Sequence, residues 1–157
     1  MKNLVCIALL VSAPGLAATF SGLYRFQRSL DSDSATLCQD FEITLKGSQF
    51  FFHSPSMTFQ KNLTQAAGWR PIGNGRGDAT PRVWENVTLG PSILQLEVVE
   101  RSGLTPPFGE FQNDWSLVLR PRSSPLWEVE IQKSEAVRPA VVLTHLQAAC
   151  LYTKIQR

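Results

Sequence analysis

Residues 41–52, Phe41-Glu-Ile-Thr-Leu-Lys-Gly-Ser-Gln-Phe-Phe-Phe52, read as a β-hairpin. Phe41, Ile43 and Leu45 alternate with Glu42, Thr44 and Lys46, which gives a segment one apolar face and one wet face. Lys46-Gly-Ser-Gln49 supplies turn residues, and the aromatic run at 50–52 returns as a second strand.

The same period of two recurs on both sides of this hairpin. Phe20, Gly22, Tyr24 and Phe26 oppose Ser21, Arg25 and Gln27. Leu94, Leu96 and Val98 oppose Gln95 and Glu97, and Trp115, Leu117 and Leu119 oppose Asp114, Ser116 and Arg120. Trp127, Val129 and Ile131 oppose Glu128 and Glu130; residues 146–155 also read as extended, and 83–89 carry a weaker version of the pattern. Pro55, Gly90-Pro91, Pro106-Pro107, Pro121 and Pro125 punctuate these segments. The intervals leave no room for the crossover helices of a parallel sheet. The expected fold is all-β: an antiparallel up-and-down meander of about eight strands. Closure into a barrel removes exposed strand edges, so a closed barrel is favoured over a sandwich. Tyr24, Phe26, Phe41, Ile43, Leu117, Trp127 and Val129 form the expected core. One short helix is expected at 62–68, with Asn62 as N-cap and Gly68 as stop, opening a long loop over 60–82.

The first residues read as a secretory signal peptide spanning 1–17. Lys2 is followed by an apolar run over 4–11, a Pro14-Gly15 break, and small residues at Gly15 and Ala17. Cleavage after Ala17, with Ala18 the close alternative, leaves one domain, 18–157, in a periplasmic or extracellular compartment. Cys6 falls within the leader. Cys38 and Cys150 remain, and in an exported chain two cysteines are expected to pair. No second apolar stretch approaches membrane-spanning length, so the domain is expected not to span a membrane. The chain carries Lys+Arg 15 against Asp+Glu 13, which argues against a nucleic-acid binder.

No catalytic constellation is evident. His53 and His145 have no metal-ligand spacing around them, and no serine sits in a nucleophile elbow. Glu128 and Glu130 read as the wet face of a strand. Neither a metal nor a cofactor is expected. The long loop is the candidate site. Gly73, Gly75 and Gly77 make it permissive, and Trp69, Arg70, Arg76 and Arg82 form a cationic rim with one aromatic, suited to an anionic ligand. Arg76-Gly-Asp78 is also an adhesion-type tripeptide, although loop chemistry alone explains those residues. Asn62-Leu-Thr and Asn86-Val-Thr are glycosylation sequons.

Gly22-Leu23-Tyr24 on the first strand resembles the lipocalin Gly-x-Trp motif, with Tyr in the Trp place. Together with the leader, the meander and the late cysteine, this resemblance implies a calycin-type β-barrel. It concerns fold and does not carry function. The resulting expectation is a small exported barrel that binds a small apolar or anionic ligand. The alternative is a non-enzymatic module that meets an envelope or host protein through exposed loops.

Overall fold

A computed structural model describes residues 19–31, 35–72, 80–103, 109–138 and 141–155. The expected leader lies outside these residues. Ten strands form one antiparallel sheet: β1 Gly22–Ser29, β2 Phe41–Lys46, β3 Gln49–His53, β4 Thr58–Asn62, β5 Gly68–Pro71, β6 Arg82–Leu89, β7 Leu94–Gly103, β8 Glu110–Ser123, β9 Leu126–Arg138 and β10 Val141–Ile155. A single 3-10 turn, Ala35–Leu37, lies between β1 and β2.

The spatial order is β4-β3-β2-β1-β10-β9-β8-β7-β6-β5. Every pair of strands adjacent in the chain is hydrogen-bonded except β4 and β5, and β1 pairs with β10. The first and last strands therefore meet as a closed barrel would require, but the seam has moved to β4/β5. The sheet is an open half-barrel of ten strands and not the closed barrel of about eight. Two features keep the seam unpaired. β5 has only four residues and ends at Pro71, which has no N–H to donate. The short link from β4 is spent in a turn. Asn62 Oδ1 accepts from the Thr64 amide at 3.0 Å and from its hydroxyl at 2.8 Å, and the Gln65 amide donates to the Asn62 carbonyl at 3.1 Å.

That turn also replaces the helix expected at 62–68. Asn62 behaves as an Asx-turn residue at the end of β4, and Gly68 begins a strand. A segment this short cannot recover the cost of helix nucleation.

The inner face is filled by its own side chains. Leu94 lies opposite Leu119, and Leu96 opposite Leu117. Val129 and Ile131 continue these two rows on β9, and Cys150 and Ala148 extend them on β10. Aromatic rings bridge the curl: Tyr24 stacks on Phe41 at 4.7 Å, Phe41 on Phe52 at 5.4 Å, and Phe52 meets Trp115 at 5.5 Å. The last contact joins β3 to β8, so opposite walls of the half-barrel touch. Each such pair contributes about 0.5–1.5 kcal/mol beyond the area it buries. Of the expected core, Tyr24, Phe41, Ile43, Leu117, Trp127 and Val129 are buried, and Phe26 packs partly buried against them.

Gly22 has a physical role in the first strand. Its φ is 153°, and a Cβ there would lie 2.8 Å from Lys154 Cε and 3.0 Å from the Ile155 carbonyl. Only glycine lets β1 approach β10 this closely. Two residues on, the Tyr24 hydroxyl donates to the Phe20 carbonyl at 2.7 Å and closes that end of the core.

A candidate ligand-binding recess at one mouth of the half-barrel

The antiparallel order gathers the β1–β2, β3–β4, β5–β6, β7–β8 and β9–β10 connections at one end. There the inner face opens into a recess of about 300 Å³. Val98, Trp115, Leu37 and Met57 give it apolar walls; Gln39, Glu100, Asn113 and Lys133 give it polar ones.

Register explains the polar groups. The inward row of β7 runs Leu94, Leu96, Val98 and then Glu100, which pairs with Asn113, which pairs with Glu135. One rung deeper, Val98 pairs with Trp115 and Trp115 with Lys133. The inner face thus changes from apolar to polar at the same level on β7 and β8, and one rung deeper, at Lys133, on β9.

The electrostatics are asymmetric. Lys133 is paired with Glu135, Nζ to Oε1 at 3.0 Å. The Glu100 carboxylate is exposed and has no ion-pair partner among the described residues. Gln39 Oε1 and Asn113 Oδ1 are buried without a hydrogen-bond partner. A buried acceptor left unpaired costs about 1–3 kcal/mol, so these two oxygens take a donor from water or from a bound molecule.

Gln39 is held in place from both sides. Its carbonyl accepts from the Tyr152 hydroxyl at 3.0 Å. Cys38 and Cys150 lie at disulfide distance, Cα–Cα 6.1 Å, which ties the β1–β2 connection to β10. Asp40 accepts from the Phe26 amide at 2.8 Å and from Arg25 at 2.6 Å. The Phe26 N–H is the main cause holding the Asp40 carboxyl below its usual range, with Arg25 assisting. Burial pushes the Tyr152 phenol well above its own range, so it stays a neutral donor.

Of the residues expected to form the site, Trp69 and Arg82 share one face of β5 and β6, and Arg70 lies on the other. Trp69 lies on the outer face of β5, 43% exposed, opposite Trp84 in register, with the Arg101 guanidinium 4.4 Å from its ring. Arg82 begins β6 on the same outer face, opposite Arg101. Arg70 points to the inner side and grips Glu85, Nε to Oε2 at 2.9 Å with a second bond from Nη2 to Oε1. Arg76 and the Arg-Gly-Asp tripeptide lie outside the described residues. The recess residues left a trace in the sequence: Glu100, Asn113 and Lys133 each interrupt an otherwise apolar alternation at the same strand end.

Other depressions lie elsewhere on the molecule. One of about 590 Å³ at the opposite end is walled by the exposed turn at Ser124 and Pro125, and the Lys154 ammonium beside it donates to the Thr19 carbonyl. Among the described residues no cluster of His, Cys, Asp and Glu is arranged to hold a metal, and no helix is long and apolar enough to cross a membrane. No protein family, curated protein or solved structure matches the chain.

Proposed function

We propose that this is a non-enzymatic ligand-binding protein of an exported compartment, which takes a small, largely apolar molecule with a polar end into the recess at Trp115. The observation that carries this reading is the pair of buried, unpartnered oxygens, Gln39 Oε1 and Asn113 Oδ1, in the lining of a recess with apolar walls. At about 300 Å³ the recess lies at the lower end of the range for small-molecule sites. The anchored Cys38-Gln39-Asp40 segment reduces the ordering cost of binding. A lipocalin-like layout, with Gly22-Leu23-Tyr24 on the first strand, supports the reading by analogy of fold only. Export rests on the leader expected at 1–17, and the Cys38–Cys150 pair is compatible with an oxidising compartment.

The test uses N-phenylnaphthylamine, an apolar fluorescent probe. It should bind one per chain, and Leu37→Trp, which fills the recess from its rim, should abolish binding while leaving the circular dichroism unchanged. Binding that survives Leu37→Trp, or no binding to the wild-type chain, would overturn the reading. An interaction module remains the second reading. In its favour, Trp69 and Ile72 expose 43% and 39% of their surface at edge strand β5.

A further inference from the structure

We infer that the polar end of the ligand is a primary ammonium. This inference rests on the recess being a ligand site. Three acceptors line it without a partner among the described residues: the Glu100 carboxylate, Gln39 Oε1 and Asn113 Oδ1. An alkylammonium carries three N–H donors and no acceptor, so its requirement is the complement of this set. A carboxylate or phosphate would bring only further acceptors to face oxygens that already lack donors.

Charge points the same way. Glu100 and Glu135 occupy one rung on either side of Asn113. The single lysine of the lining, Lys133, is already paired with Glu135. The three charges therefore leave one net negative charge, and it resides on Glu100. The arginines nearest in the fold do not offset it. Arg101 projects from the outer face, where its Nε donates to Gln112, and Arg70 is bound to Glu85. Trp115 and Val98 lie one rung deeper than Glu100 and Asn113. A molecule with its amine at the mouth and its apolar body below would meet both environments in the right order, and the Trp115 ring adds a surface on which that body can pack.

The experiment compares three ligands that share one apolar body: phenethylamine, phenethyl alcohol and hydrocinnamate. Each is titrated against the full chain by calorimetry at neutral pH, with N-phenylnaphthylamine as the control for the site itself. The amine should bind about tenfold or more tighter than the other two, since charge-assisted hydrogen bonds are the stronger class. Glu100→Gln should remove most of that preference, with circular dichroism matching the wild-type chain, since Glu100 is exposed. Equal binding of all three, or tightest binding of hydrocinnamate, overturns the ammonium inference and leaves the ligand site standing. The same holds if the naphthylamine probe binds and none of the three does. Failure of the probe as well overturns the site.

Discussion

The Tyr152 hydroxyl on β10 donates a 3.0 Å hydrogen bond to the carbonyl of Gln39, a residue 113 positions earlier in the chain. Cys38 and Asp40 on either side are also anchored, to Cys150 and to Phe26 with Arg25. The backbone of Gln39 is thereby fixed while its side-chain oxygen stays unpaired. Tyr152→Phe removes the bond and keeps the ring. It should cost about 0.5–1.5 kcal/mol in urea unfolding and weaken ligand binding by more than it weakens the fold. Unchanged stability and unchanged affinity together would show that Tyr152 does not position Gln39.

Reduction of the Cys38–Cys150 pair should lower the melting temperature. The two cysteines are 112 residues apart, and closing so long a loop is worth about 4–5 kcal/mol in the chain-entropy model. Peptide mapping without reductant should recover the two cysteines in one linked species; two free thiols would contradict it.

Trp127 is buried with 7% of its surface exposed, and its ring meets Phe20 and Tyr24 edge-on, each at 5.7 Å. Trp127→Ala should destabilise the fold by about 3–5 kcal/mol, the cost of a large aromatic cavity. A cost near zero in chemical denaturation would mean that this part of β9 does not pack as described.

The Arg70–Glu85 pair makes a different prediction from the anion-binding role expected of Arg70. Glu85 is buried and Arg70 is more than half exposed, so the arginine serves to neutralise a carboxylate inside the sheet. Arg70→Ala should cost about 1–2 kcal/mol, discounted for solvent screening. Adding Glu85→Leu to that variant should restore most of the loss. A double variant no better than Arg70→Ala would refute the neutralising role.

Asp40 sets an acid limit. Its carboxyl is held below the usual range by the Phe26 N–H and then by Arg25. A depressed folded pKa means that the stabilisation is complete above the ordinary aspartate value and disappears as pH falls through the depressed one. Asp40→Asn should flatten this part of the stability profile, measured by urea unfolding at a series of acidic pH values. An identical acid limb in the variant would remove Asp40 from the account.

Much of the fold is legible in the sequence because strand alternation is a local property. The side chains of Phe41, Ile43 and Leu45 declare one face whatever their partners are. The pairing expected of Cys38 and Cys150 is likewise a matter of residue chemistry, and the two lie at disulfide distance. β4 and β5 escaped because edge strands show little alternation. β4 carries one buried apolar residue, Phe59, and β5 is Gly-Trp-Arg-Pro with none buried.

The sequence by itself determined that the chain is an antiparallel meander, which residues of its alternating strands face inward, and that Cys38 and Cys150 are candidates to pair. Only the tertiary structure decided where the seam lies. It also decided that Arg70 is committed to Glu85, and that Glu100, Asn113 and Gln39 share one recess. Facing is set by the two-residue period of a single strand. Meeting is set by register and curl, which depend on how all ten strands pair at once, so no local stretch of residues encodes it.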